Sequence, residues 1–460
     1  MESLGMQSPE SAGKSSPCRH CRQPLQDTFL DLGLAPPSNA YLSAAQLLAT
    51  KSMTERRSER AAEGEAPERC FPLKLMVCRN CWLVQTHEPA DPDELFAPDY
   101  AYFSSTSTSW LEHARRYSQM IIERLKLGPK SRVIEVAAND GYLLRNFLAA
   151  GIPCLGIEPT AGTAQAAEKL GIPVLRAFFG QQLAQDLAAQ GLLADLIIGN
   201  NVYAHVPDVN DFTAGLKTAL RPGGTLTLEF PHLLRLIEDA QFDTAYHEHF
   251  SYFSLYTVER IFSAAGLRVV DVEQLPTHGG SLRVYGGHEN DDRDGGEVEN
   301  VREHARDHVR EHVRAPTPAV AAVRAAEERA GLRTLAPYRE FQARADRIRD
   351  ELLAFLDEQR RAGLRVAGYG AAAKGCTLLN YAGVKTELLP YVCDAAPSKQ
   401  GKFLPGSHIP VVHPEVLRER RPDIILILPW NLREELVAQL DYARAWGARF
   451  AVAVPALTVF

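Results

Sequence analysis

From Val133 onward the chain alternates short apolar runs with stretches of helical spacing, a pattern that few architectures accommodate. VIEVA (133–137), CLGIEP (154–159), DLIIGNN (195–201) and TLTLEF (225–230) read as strands, and helical segments separate them. Strands joined through helices must run parallel, which predicts a doubly wound α/β sheet. A second alternation begins at LRVAGYG (364–370) and continues through ELLPYVCD, RPDIILILPW and FAVAVP, which predicts another, Rossmann-like α/β unit. Amphipathic helices are expected at 108–126, behind Thr and Ser caps, and at 337–361.

Four of the eight cysteines form two tight pairs, Cys18/Cys21 and Cys78/Cys81. Each is a Cys-x-x-Cys turn that directs two thiolates towards one point. Two such turns supply the four sulfurs of a closed, structural Zn2+ site with no position left for a catalytic water. His20 and His87 lie nearby but are not needed as ligands. The stretch at 54–69 between the pairs is charged, Ala-rich and aperiodic, and reads as a surface insertion. The other four cysteines read as free thiols, because nothing in the chain marks it for an oxidising compartment.

The expected organisation is a disordered tail (1–16), a small zinc-binding domain (17–90), a central domain (91–286), a linker with a helical segment (287–336) and the C-terminal Rossmann-like domain (337–460). A formal charge of −7 argues against a nucleic-acid partner. No apolar run is long enough for a membrane span, and the polar start MESLGMQSPESAGKSSP contains no secretory h-region. A cytoplasmic protein, a monomer or weak homo-oligomer, is expected.

The loop after the first central strand, Glu135-Val136-Ala137-Ala138-Asn139-Asp140-Gly141, combines small residues with the start of a helix, where backbone amides face a ligand. It is not a Gly-x-Gly-x-x-Gly loop, and so suits a nucleoside cofactor without a bridging pyrophosphate. Glu158 ends the second strand, where an acid accepts from ribose hydroxyls. Asn200 and Asn201 end a later strand and are candidates for the remainder of the cofactor.

Further segments are more specific: DYAYFSSTS, NNVYAHVPDVNDF, YHEHFSYFS, LPTHGGSLRVY, GYGAAAKG and SKQGKFLPGSHIP. Together they resemble the sugar C-methyltransferases of antibiotic deoxysugar biosynthesis, including those of the tetronitrose type, over nearly the whole chain from Cys18 to about Pro455. The resemblance implies S-adenosyl-L-methionine as cofactor and a dTDP-linked 4-keto-deoxysugar, with an amino or a hydroxyl group at carbon 3, as substrate. It implies methylation at carbon 3, with an active site between the central and C-terminal domains. By the same resemblance His249 corresponds to a base, with Tyr246, Glu248, His205 and Tyr100 at active-site positions.

The chemistry suits those residue types. A carbon–carbon bond to a sulfonium methyl needs a carbanion, and a neighbouring ketone makes the proton acidic enough for an imidazole to remove. The enolate oxygen then needs donors arranged in advance, a role assigned to His205 and Tyr100. His304, His308 and His312, at helical spacing among charges, read as a solvated face.

Gly368-Tyr369-Gly370-Ala371-Ala372-Ala373 satisfies a dinucleotide fingerprint, and Asp394 stands where a ribose-binding acid would be. An NAD-dependent oxidoreductase is therefore the rival reading, and a zinc-containing binding protein without activity is a third. Lys374 and Lys399 favour a sugar diphosphate near this loop, with His278, Gly280, Ser281, Arg283 and Tyr369 as further substrate candidates.

Overall fold

A computed structural model describes residues 16–55, 68–87, 103–290 and 316–460, and its strands form three sheets. The central sheet has seven strands in the order Leu267–Leu275, Ser281–His288, Leu220–Pro231, Ala194–Asn200, Val133–Val136, Cys154–Ile157, Val174–Leu175. From Leu220–Pro231 to Val174–Leu175 the pairing is parallel, as the alternation predicts. Val133–Val136 is buried along its whole length, as expected of a strand covered on both faces. The sheet also contains a feature absent from the sequence reading: Ser281–His288 runs antiparallel to both of its neighbours.

The chain winds outward in both directions from Val133–Val136 and Ala194–Asn200. The crevice beyond the carboxyl ends of these two strands is the topological switch point, where α/β sheets bind ligands. The C-terminal sheet repeats the plan, in the order Val411–Val412, Val392–Cys393, Val366–Tyr369, Ile424–Ile427, Arg449–Val452, Thr458–Val459, with only the last strand antiparallel. Its switch point lies between the loop after Tyr369 and the Pro429–Asn431 turn.

The third sheet carries the cysteine pairs. Asp27–Ala35, Phe71–Val77 and Val84–Thr86 pair antiparallel, and the fourth strand is Ser251–Tyr252, from the segment after the Tyr-His-Glu-His cluster. The long helix Ala336–Arg361 buries Tyr338, Phe341, Ala345, Ile348, Leu352, Phe355 and Leu356, a stripe at three- and four-residue spacing. That stripe meets Phe29 of the small sheet, whose ring stacks 4.6 Å from Phe341, so one apolar core joins the small sheet to the C-terminal unit.

Within the expected linker, the helix Pro318–Arg329 is packed down by Glu327. Its carboxylate accepts from the backbone amides of Leu255 (2.5 Å) and Tyr256 (3.1 Å) at the start of the helix Leu255–Ala265, and from His232 Nε2 (2.8 Å). Those amides have no intrahelical partner, so the acid caps the helix from a distance in sequence. No described helix is long and apolar enough to cross a membrane. His304, His308, His312 and most of the 54–69 insertion lie outside the described residues.

Candidate active site

The four paired cysteines converge, with all their Sγ atoms within 4.8 Å of one another. Cys18–Cys81 and Cys21–Cys78 stand 3.5 and 3.4 Å apart. Sulfurs around a tetrahedral zinc, at bonds of about 2.3 Å, would be roughly 3.8 Å apart, so the set fits that ion. The two turns share one construction, each followed by a left-handed residue (Arg22, Trp82) whose amide bonds back to the first cysteine's carbonyl. His20 is not part of the cluster: its Nδ1 donates to Asn210 Oδ1 and docks the turn on the central domain.

A cavity of about 1300 Å³ opens over both switch points. On the central side its wall includes Ala137, Asn139, Glu158, Asn200 and Asn201. Ala137, Asn139 and Gly141 adopt left-handed backbone, which folds the loop tightly over the strand end. Glu158 holds that loop, accepting from Asn139 N (3.0 Å) and Thr160 N (2.9 Å), and its carboxylate remains at the wall. Both polar atoms of the buried Asn200 amide lack a hydrogen-bond partner among the described residues, as a residue awaiting a polar ligand would. These groups fit the nucleoside and amino-acid ends of S-adenosylmethionine.

Glu135, Asp140 and Gly141 lie behind the wall instead of lining it. Glu135 is fully buried, and burial, with the charges of Asp140 and Glu158, drives its carboxyl well above the usual range. Gly141 meets Ile172 and Ala167, where a Cβ would clash, so it serves helix packing.

Tyr246 and His249 face the same cavity. His249 Nδ1 lies 3.1 Å from the Thr244 carbonyl, which can only accept, so Nδ1 carries the proton. The Nε2 lone pair accordingly accepts from the Tyr246 hydroxyl at 2.8 Å. Burial, reinforced by His205, pushes His249 well below the ordinary imidazole value, and burial lowers His205 to about 4. The His205 and His249 rings meet edge to face, 4.6 Å apart. Glu248 turns away from the cavity and accepts from Asn39 Nδ2 (3.0 Å), its carboxyl raised by burial. Tyr100 lies outside the described residues.

On the C-terminal side the wall includes Lys374 and Lys399. Lys374 Nζ donates to the His278 carbonyl (3.1 Å) and Asn431 Oδ1 (3.2 Å), over the Trp430 ring. Burial lowers it to about 8, while Asp243 pulls the other way. His278 also lines the cavity, its Nε2 accepting from Asn201 Nδ2 at 2.8 Å. Asp394 does not line it. Its oxygens accept from Ala371 N (2.7 Å) and Ala396 N (2.8 Å), bracing the glycine loop much as Glu158 braces the central one.

Four substrate candidates stand away from the cavity. Arg283 is 3% exposed, between Glu229 and Glu273 on the neighbouring strands (both 2.7 Å), with its guanidinium over the Tyr117 ring. Burial raises Glu229, but the His113 hydrogen bond and the Arg283 charge outweigh it, and its carboxyl lies below the usual range. Ser281 Oγ donates to the Thr277 carbonyl, Gly280 packs on Arg235, and Tyr369 is buried in the C-terminal core.

Several wall residues have no signal in the sequence reading. Asn39 arrives from the zinc-bearing region, and Trp110 and His113 come from the helix Thr108–Leu125. Arg19, inside the first cysteine turn, donates to the carbonyls of Phe250 (2.9 Å) and Thr86 (3.0 Å). It thereby grips the residue next to His249.

Comparison with known proteins agrees with this geometry. Residues 294–455 match the family profile "C-methyltransferase C-terminal domain", 110–272 a "Methyltransferase domain", and 18–55 with 59–96 a "Putative zinc binding domain". The chain is 35% identical over 388 residues to the C-methyltransferase NovU of Streptomyces niveus, covering 84% of this chain and 87% of that one. The chain belongs to the C-methyltransferase family. It is an S-adenosylmethionine-dependent methyltransferase whose N-terminal part is a zinc-binding domain built on four cysteines. Solved structures with likeness to it include an S-adenosylmethionine-dependent methyltransferase from Mesorhizobium loti (14% identity, 38% of this chain and 99% of that one, TM-score 0.31). Another is magnesium protoporphyrin IX methyltransferase from Synechocystis PCC 6803 (14% identity, 38% and 80%, TM-score 0.29). Nothing in these comparisons supports a nicotinamide-dependent oxidoreductase.

Proposed function

We propose that this C-methyltransferase methylates carbon 3 of a dTDP-linked 4-keto-deoxysugar, in the biosynthesis of an antibiotic sugar. The observation that carries the reading is the single cavity on which the cofactor loop, the Tyr246–His249 pair and two lysines all open. Bound S-adenosylmethionine supplies an electrophilic methyl group. The chain's residues supply the nucleophile's preparation: the neutral His249 takes up the proton from the carbon beside the ketone, and His205 stands beside it as a donor for the enolate oxygen. Lys374, with no carboxylate among its hydrogen-bond partners in the described residues, and Lys399 suit the sugar diphosphate.

The test is incubation with S-adenosylmethionine and a panel of dTDP-linked 4-keto-6-deoxysugars, followed by mass spectrometry. One member gains a single methyl group, and His249→Asn abolishes the gain while S-adenosylhomocysteine still raises the melting temperature. No methylation of any panel member, or near-normal turnover by His249→Asn, overturns the reading.

A further inference from the structure

We infer that Asp243 is a positioning residue for the anionic end of the substrate: through the Trp430 indole it keeps Lys374 charged and fixed where the two α/β units meet. The anionic end is the diphosphate of the nucleotide-sugar reading above, on which this assignment rests. Asp243 belongs to the short turn Phe242–Thr244 of the central unit and has no solvent exposure. Its Oδ2 accepts from Trp430 Nε1 at 2.8 Å, while Oδ1 has no hydrogen-bond partner among the described residues. A buried carboxylate with so few partners is costly, and the cost points to a use for its charge.

That use is at Lys374. Its Nζ lies over the Trp430 ring, 4.6 Å from the centroid, and its two acceptors, the His278 carbonyl and Asn431 Oδ1, are neutral. An ammonium has three N–H donors, so one is left for an incoming oxygen. Burial disfavours the ammonium, and the Asp243 charge opposes that loss. The attraction works in return: burial raises the Asp243 carboxyl to about 6, while Lys374 and the Trp430 hydrogen bond restrain it. His249 and His278, the other titratable groups beside Lys374, are held neutral by burial. Lys399, Arg433, Glu434 and Glu435 complete the charges on the C-terminal side of the cavity. Trp430 cannot swing away, because a Cβ on Gly279 would already stand 2.5 Å from its Cη2, and Gln241 Nε2 holds the Gly279 carbonyl at 2.7 Å.

Asparagine is the isostere that isolates the charge, since its carbonyl oxygen still accepts from Trp430. Without the negative charge the ammonium is less favoured, so Lys374 gives up its proton at a lower pH than its present value of about 8. For a drop of about one unit, the charged fraction at about pH 8 falls from about a half to about a tenth. An anion that needs the ammonium then binds roughly fivefold more weakly. At about pH 6.5 both enzymes carry the charge, and the difference shrinks to well under about twofold. Titration of the ligand's own phosphate is common to both enzymes and cancels in the ratio.

The test is calorimetric binding of dTDP to the full-length zinc-loaded enzyme at these two pH values, for wild type, Asp243→Asn, Lys374→Met and the double variant. Asp243→Asn is expected to weaken binding roughly fivefold at about pH 8 and to change it little at about pH 6.5, while S-adenosylhomocysteine still stabilises the protein. In the Lys374→Met background the same substitution is expected to add nothing. Trp430→Phe removes the Nε1–H donor, so that the Asp243 carboxyl takes up a proton and its charge is lost by a second route. It is expected to move the pH dependence in the same direction, and it carries the comparison should Asp243→Asn not fold. An equal loss at both pH values, no loss, or a loss that persists without Lys374 overturns the role of Asp243 and leaves the nucleotide-sugar reading standing. If the wild type takes up no dTDP, the nucleotide-sugar reading itself falls, and the assignment with it.

Discussion

Replacing Arg283 by methionine separates a structural arginine from a substrate-binding one. Its guanidinium is 3% exposed and lies between two carboxylates, one of which, Glu229, is fully buried. Methionine fills similar space but leaves Glu229 charged and short of its main counter-ion. Removing one member of a buried pair costs about 3–5 kcal/mol. His113 Nε2 and Thr277 Oγ1 still donate to Glu229, at 2.8 and 2.9 Å, which places the expected loss near the lower end, about 3 kcal/mol. At roughly 2–4 °C per kcal/mol for a domain of this size, the melting temperature falls by roughly 6–12 °C. The assay is thermal and urea unfolding followed by circular dichroism, with KM for the nucleotide sugar measured on the folded variant. The double variant Arg283→Met with Glu229→Gln should recover part of the loss, because the uncompensated charge is gone. An unchanged midpoint together with a raised KM for the sugar would refute this reasoning and return Arg283 to the substrate.

Metal removal should be equally telling. Native mass spectrometry is expected to find one zinc per chain, and stripping it should lower the melting temperature and abolish turnover, since four converging thiolates lose their common ion. Unchanged melting after complete loss of metal would contradict the assignment. The pH dependence follows from His249, whose charged form burial disfavours, so its neutral and basic form persists as the pH falls below the ordinary imidazole value of about 6.5. On its acid side kcat/KM should therefore stay nearly level from pH 7.5 to about 6. A half-loss at about 6.5 would show an unperturbed histidine in control.

The parallel strands were legible because burial on both faces demands continuous apolar runs, and VIEV and ADLIIGN supply them. The hairpin Leu267–Leu275/Ser281–His288 was not, because its polar and glycine-bearing residues mask the strand pattern. That omission misdirected Arg283: opposite Glu229 on one strand and Glu273 on the other, it completes a cross-strand charge ladder that only the register discloses. The Tyr-His-Glu-His cluster stood out as chemistry, yet four adjacent residues in a turn point different ways. Tyr246 and His249 face the cavity, while Glu248 faces Asn39, 209 residues away in sequence. Asn39 itself had no local pattern to reveal it, since its role exists only once the zinc-bearing sheet is docked. The cysteines were legible because their spacing alone encodes the geometry of the turn.

Arg19's hold on Phe250 gives the metal a reach beyond its own four sulfurs. The cysteine turn acts as a jig: it sets one guanidinium, and that guanidinium sets the backbone on which the imidazole rides. An enzyme cut down to its central sheet would still have a floor for the methyl donor, but would present His249 out of true.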